Sequence, residues 1–134
     1  MAILRSPLTF IVSMLLSLTL HADTLVITDS NHPTQPTPDS KIILIDQPST
    51  LESSLSTNLP SDPHQAQTIA QQRLTPELTA KITQAHQEVV TAWSLGITKI
   101  PAVVVDQKYV VYGEPDVQRA LALIARHREQ VPQP

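Results

Sequence analysis

The chain has 134 residues and a formal net charge of −3, which is room for one domain. It contains no cysteine, so disulfides, redox-active thiols and thiolate metal ligands are excluded. Glycine is scarce and no run of Lys or Arg stands out, so phosphate-binding loops and a nucleic-acid partner are not expected.

The first 22 residues have the order of a secretory signal peptide. A short basic start, Met1–Arg5, is followed by an apolar run over 7–20 and then by Ala22, a small residue of the kind that signal peptidase requires. The run is too short to cross about 30 Å of hydrocarbon as a helix. We expect export, cleavage after Ala22, and no membrane contact of the mature chain. A retained membrane anchor is the alternative.

Two strands and a loop open the mature chain. Thr24–Thr28 is a short β-branched run, and Lys41–Asp46 is a continuous apolar run that predicts a strand covered on both faces. Between them, residues 31–40 contain three prolines. Proline removes backbone donors and restricts the preceding residue, so this segment is predicted to be an extended loop.

Helical signals follow. A capping-box spacing over Ser49–Glu52 and leucines four residues apart predict a first helix. Asp62–Pro63 and Thr75–Pro76 each place a capping residue before a proline, and so predict two further starts. The last of these helices is predicted to end at Gly96. Its apolar residues form one stripe: Leu78, Ile82, Ala85, Val89 and Trp93.

A hairpin and a final helix close the domain. A strand entered through Pro101 is followed by a tight connection over 106–108 and by a second strand, Tyr109–Tyr112. Gly113 ends that strand, and the helix after it turns Val117, Leu121 and Ile124 inward. Residues 131–134 are predicted to be a frayed tail.

The order of elements is β, loop, β, two or three helices, hairpin, helix. This order predicts an α/β, thioredoxin-like domain over residues 23–130, with a central mixed sheet of order β-loop-β-α-α-β-β-α and without a Cys-x-x-Cys motif. In that fold the proline before the third strand is usually cis. The sequence itself leaves the isomer of Pro101 open.

Longer motifs carry a family resemblance. The stretches Ala92–Val105 and Tyr109–Val117, with Asp29–Pro33 after the first strand, resemble the periplasmic, thioredoxin-like proteins of integrative and conjugative elements. The segments 58–60 and 71–74 also fit, so the similarity covers nearly all of the mature chain. The resemblance implies a periplasmic location and an association with conjugation and type IV secretion. It implies no settled biochemical activity.

The loop after the first strand lies where redox relatives carry their two cysteines. It offers Asp29, Ser30 and His32 but no thiol. A turn held by Asx-type hydrogen bonds is the favoured interpretation. Activation of the Ser30 hydroxyl by His32 is the catalytic alternative.

Other polar residues give no site. The mature chain's histidines each stand alone, without the helical spacing or carboxylate partner of a metal site: His32, His64, His86 and His127. The aspartates after strands are expected to form turns, with a catalytic carboxylate pair as the alternative: Asp29, Asp46 and Asp106. Trp93 is expected in the core, and a binding platform is the alternative. We therefore predict no catalytic residue, no metal and no cofactor.

The preferred functional surface is a groove beside the proline of the hairpin. In thioredoxin-like folds the backbone next to this proline can pair with an extended peptide. The residues predicted to bind a partner are Thr98, Lys99, Ile100 and Pro101, with His32 and Pro33 facing them and Tyr112 beside them. The alternative is that Pro101 only shapes the core.

The leading hypothesis is a non-catalytic periplasmic component or assembly factor of a conjugative DNA-transfer apparatus. Its partner would be a protein of that apparatus. A periplasmic enzyme with a non-thiol site near Ser30 and His32 is one alternative. A structural subunit that forms a stable oligomer is another, and the oligomeric state stays open.

Overall fold

The computed structural model describes residues 23–131. The predicted signal peptide and residues 132–134 of the predicted tail lie outside these residues. Within residues 23–131, no helix is both long and apolar enough to cross a membrane.

Four strands and four helices make up the described chain. The strands are β1 (Thr24–Thr28), β2 (Ser40–Leu44), β3 (Ala102–Val105) and β4 (Tyr109–Tyr112). The helices are α1 (Gln47–Ser56), α2 (Pro63–Arg73), α3 (Pro76–Ser94) and α4 (Val117–Gln130). Three helices separate β2 from β3, which agrees with the larger of the two predicted counts, whereas the order written with two helices lacks one.

The strands form one mixed sheet in the order β2-β1-β3-β4. β1 pairs in parallel with β2 and antiparallel with β3, and β3 pairs antiparallel with β4. β1 is therefore a central strand, and all five of its residues are buried. The α/β class and the mixed sheet are confirmed.

β2 differs from its prediction. It is an edge strand, and Lys41 and Ile42 are exposed while Ile43 is buried, so a strand covered on both faces is wrong. It also ends at Leu44, because Asp46 caps α1. An outward lysine is a common feature of edge strands, and the Lys41 Nζ lies 3.1 Å from a Glu88 carboxylate oxygen on α3.

Each face of the sheet packs against one long helix, because side chains alternate along a strand. The α3 face holds Leu25, Ile27, Ile43, Ala92, Ala102 and Val104. The α4 face holds Val26, Val103, Val105, Val117, Ala120 and Ile124. The core is thus two thin apolar layers with a valine-rich sheet between them.

Two of the predicted helix starts are confirmed by their caps. The Asp62 carboxylate accepts a hydrogen bond from the Gln65 N–H at 2.8 Å. The Thr75 hydroxyl accepts one from the Leu78 N–H at 3.2 Å.

The predicted capping box of α1 is wrong. The helix begins at Gln47 and Asp46 is its N-cap, so Ser49 and Thr50 lie inside the first turn. Their hydroxyls donate to the Asp46 carbonyl at 2.9 and 3.0 Å instead of capping an N–H. Pro48 lies in the first turn of α1, where proline is favoured because the N–H groups have no partner within the helix.

Trp93 is not in the core. Its side chain is 70% exposed, whereas the neighbouring Ala92 is buried. The buried residues of α3 are Ala85 and Ala92, seven positions apart. The predicted stripe is confirmed except at its last member: Leu78, Ile82 and Val89 are partly buried and Ala85 is buried, but Ala92 takes the inward position in place of Trp93.

The hairpin is confirmed, and both central residues of its turn, Asp106 and Gln107, have φ of 53°. Gly96, at the end of α3, has φ of +72°, the left-handed geometry predicted there. The Ile100–Pro101 peptide bond is cis.

Candidate functional site

One edge of the sheet gathers the ends of several strands. Thr28 pairs with Leu44 at the carboxyl ends of β1 and β2, and Ile27 pairs with Ala102 at the start of β3. Tyr112, at the end of β4, also pairs with Ala102. The residues that follow β1, β2 and β4 therefore lie at the same edge as Pro101.

A shallow pocket lies at this edge on the α3 face. Its volume is about 220 Å³, below the roughly 300–1,000 Å³ of ordinary small-ligand pockets. It is therefore suited to single side chains rather than to a whole cofactor. It is lined by Ile27, Ile45, Ala92, Trp93, Ile97, Thr98, Lys99 and Ile100. We call it the edge pocket.

The rim of the edge pocket is apolar and open to solvent. Trp93 and Ile45 are both large exposed hydrophobic residues. They come from α3 and from the turn after β2, so the patch exists only in the folded chain. Exposed tryptophan is enriched where proteins bind partners, because its burial releases much apolar surface.

The backbone before Pro101 has free hydrogen-bonding groups. The peptide groups of Thr98, Lys99 and Ile100 make no hydrogen bond with any other residue in 23–131. The Pro101 carbonyl, by contrast, accepts from the Gly113 N–H at 2.9 Å. A strand-like ligand would find unpaired donors and acceptors on the three residues that also line the edge pocket.

The two tyrosines of β4 lie on opposite faces, as alternation predicts. Tyr109 packs on the α4 face, where the Arg128 guanidinium lies 4.4 Å from its ring centroid. Tyr112 is exposed and shares the α3 face with Ala102. It is therefore on the same side of the sheet as the edge pocket.

His32 and Pro33 do not line the edge pocket. The Thr28 hydroxyl donates to the His32 carbonyl at 2.6 Å, and Thr28 shares the α4 face with Val26. The loop then runs to the start of α4, where the Gln35 N–H donates to the Pro115 carbonyl at 2.8 Å. The predicted binding residues therefore lie on two faces of the sheet: Thr98–Ile100 on the α3 face, and His32 and Pro33 on the α4 face.

The loop after β1 is built around the Asp29 carboxylate. One of its oxygens accepts from the N–H groups of Asn31 and His32 at 3.0 and 2.9 Å. The same oxygen lies 2.6 Å from His32 Nδ1. The hydrogen bond from His32 is the main cause that lowers the pKa of Asp29, the Asn31 N–H adds to it, and partial desolvation opposes both. These are the contacts of the predicted Asx-type turn.

Ser30 is held by its backbone. Its N–H donates to an Asp46 carboxylate oxygen at 3.1 Å, which joins the loop after β1 to the cap of α1. Within residues 23–131, the Ser30 hydroxyl makes no hydrogen bond to His32.

Two histidines do have carboxylate partners, so the prediction that all four lack one is wrong. His32 meets Asp29, and His86 Nε2 of α3 lies 2.7 Å from a Glu52 carboxylate oxygen of α1. The Glu52 contact joins two helices and has no signature in local spacing. Residues 23–131 contain no group of three or more side chains that could hold a metal ion.

The sequence profile of one protein family matches residues 21–130 and therefore includes every strand and helix described above. That family is described as protein of unknown function (DUF1525). The chain belongs to the DUF1525 family. Neither the curated proteins nor the solved structures gave a match to the chain.

In this DUF1525 chain, the sequence predicted three of the eight residues that line the edge pocket and missed the other five: Ile27, Ile45, Ala92, Trp93 and Ile97. Ile45 belongs to the predicted second strand, and the favoured prediction for Trp93 is the core. Trp93 follows a buried alanine on α3, and that neighbour was the available signal. Ile45 carried none, because its exposure depends on where β2 ends.

Proposed function

We propose that the chain is a non-catalytic, partner-binding protein whose binding surface is the edge pocket. One observation carries the proposal. The peptide groups of Thr98–Ile100 make no hydrogen bond within residues 23–131, and the same three residues line the pocket beside exposed Trp93. An extended segment of another protein would pair with this backbone and place an apolar side chain in the pocket. Tyr112 extends the surface on the same face.

We also propose that the fold is thioredoxin-like, because in such folds the backbone beside the proline of the hairpin can pair with an extended peptide. The parallel β1–β2 pair, the antiparallel hairpin entered through Pro101, and the closing helix α4 agree with that fold. A proline-rich loop replaces the helix that usually connects parallel strands. Without cysteine, the site cannot carry out thiol–disulfide chemistry.

The cellular context in the proposal comes from the family resemblance. It is a periplasmic role as a component or assembly factor of a conjugative, type IV secretion-like apparatus. The partner is a protein of that apparatus.

The test is affinity capture with the mature protein from periplasm of cells that carry the element. Trp93→Ala and Lys99→Glu remove the exposed ring and reverse the charge at the pocket. Leu74→Ala is the matched control, because Leu74 is 49% exposed and does not line the pocket. We expect one apparatus protein to be captured by the wild type and the control, and lost from both pocket variants. Equal capture by all four proteins would refute the proposed surface.

A second candidate, a hydrolase, is favoured by the Asp29–His32 contact. In serine hydrolases a carboxylate holds Nδ1 of the histidine and leaves Nε2 for the nucleophile, and Asp29 contacts Nδ1 here. Ser30 would have to reorient to reach Nε2. The test is turnover of a panel of p-nitrophenyl esters by the wild type and Ser30→Ala. No turnover above the buffer rate, or equal rates for both proteins, would eliminate this candidate.

A further inference from the structure

A second pocket lies on the other face of the sheet, where α4 overhangs the outer edge of β4. Its volume is about 310 Å³, within the range of ordinary ligand pockets. It is lined by Lys108, Tyr109, Val110, Val111, Leu123, Ile124 and His127. We call it the hairpin pocket. None of its residues belongs to the edge pocket.

One wall of the hairpin pocket is apolar, whereas the rest of its lining includes Lys108 and His127. Leu123 is 48% exposed, although it lies one position before the buried Ile124. Tyr109 is fixed beside them, because Arg128 stacks on its ring and the His127 ring meets it edge-on with centroids 6.3 Å apart. The wall is therefore shaped for an aliphatic side chain.

The rim of the hairpin pocket carries a cation without a carboxylate partner. Lys108 Nζ lies 5.4 Å from the Tyr109 ring centroid and forms no ion pair with any residue from 23 to 131. The nearby Asp106 carboxylate is occupied by Arg128, with 2.6 Å between Oδ2 and Nη2. Lys108 is thus free to receive an anion.

The outer edge of β4 offers free backbone groups next to this pocket. The Gly113 N–H points to β3, where it donates to Pro101, and alternate residues of an antiparallel strand point the same way. Val110 and Tyr112 therefore direct their peptide groups outward, and residues 23–131 place no strand beside them. An extended peptide can pair there.

From these three features we propose that the hairpin pocket binds the carboxyl terminus of a peptide that ends in an aliphatic residue. The peptide adds antiparallel to β4, its last side chain fills the apolar wall, and its terminal carboxylate meets Lys108. This site lies beyond the proposed function and does not rest on it. An internal peptide segment lacks the terminal carboxylate and so does not meet Lys108.

The experiment uses the mature protein and an array of random octapeptides with free carboxyl termini, printed beside the same array with amidated termini. We expect the bound peptides to share Leu, Ile or Val at the last position. Amidation should weaken binding about tenfold, because it removes a charge-assisted contact. Selected peptides should bind Lys108→Ala about tenfold more weakly in the free-acid form and unchanged in the amidated form.

Lys99→Glu is the matched control, because it alters the edge pocket and leaves the hairpin pocket intact. Unchanged binding by this variant separates the present site from the proposed function. Three outcomes would overturn the proposal: equal binding of free and amidated arrays, no preference at the last position, or decanoate displacing peptides as well as they displace each other. The last outcome would assign the pocket to a free aliphatic acid.

Discussion

At the residue scale, most of the polar chemistry of the chain serves local geometry. The Asp29 carboxylate closes the loop after β1, and Asp46 joins that loop to α1 through the Ser30 N–H. Asp106 holds Arg128 across the hairpin. All three follow strands, as predicted for turn residues. Of these three aspartates, only Asp29 also contacts a histidine, and the hydrolase candidate depends on that contact.

The Asp29 contact makes a pH-dependent contribution to stability. Its pKa in the folded state lies below the ordinary value of 3.8, chiefly through the His32 hydrogen bond. A depressed carboxyl pKa stabilises the fold above the unfolded pKa, and this stabilisation is lost as pH falls through the folded pKa. We expect NMR titration of the carboxyl carbon to show the low pKa, and His32→Ala to raise it. His64→Ala, on the exposed side of α2, should leave it unchanged; an equal shift in both variants would contradict this account.

At the element scale, the caps decide where the helices begin, but their energetic weight depends on packing. The Asp116 carboxylate accepts from the Gln118 and Arg119 N–H groups at 3.0 and 3.3 Å and so caps α4. α4 buries Val117, Ala120 and Ile124, whereas α2 buries no residue. The two helices have similar start signals and very different roles in the core.

Removal of the two caps should therefore have unequal effects. Asp116→Ala is expected to lower the free energy of unfolding by about 1 kcal/mol, because α4 is part of the core. Asp62→Ala should fray α2 and change global unfolding by less than about half of that, because α2 can loosen without opening the sheet. Urea denaturation of both variants measures the difference. A larger loss for Asp62→Ala would mean that α2 is coupled to the core more strongly than its burial indicates.

At the scale of the whole molecule, sequence patterns predicted the strands, two capped helix starts and the hairpin, because these depend on neighbours in the chain. They failed for the burial of β2, whose place at the edge of the sheet depends on strand order. They also failed for Trp93, whose exposure depends on where α3 contacts the sheet. The edge pocket was predicted in part, through Thr98–Ile100. Ile45 and the direction of the His32 loop follow from tertiary placement, which local periodicity does not encode.

The central place of β1 gives a prediction for the whole domain. Ile27 is fully buried and touches the α3 side of the core. Ile27→Ala is expected to cost about 2–5 kcal/mol, a large share of the roughly 5–15 kcal/mol that stabilises a domain. Ile42→Ala, at the exposed edge strand, should cost under about 1 kcal/mol. Chemical denaturation of the two variants checks this, and equal losses would place the core elsewhere.

The pairing of β1 also sets an order of events during synthesis. β1 begins the described chain, yet its antiparallel neighbour β3 comes from the last third. Until that third has left the ribosome, β1 keeps one edge open and the α4 layer has no helix. Contacts between distant parts of a chain form slowly, because a long loop must close first. Both apolar layers of the core contain β3 residues, so neither layer is complete until nearly the whole chain has been synthesised.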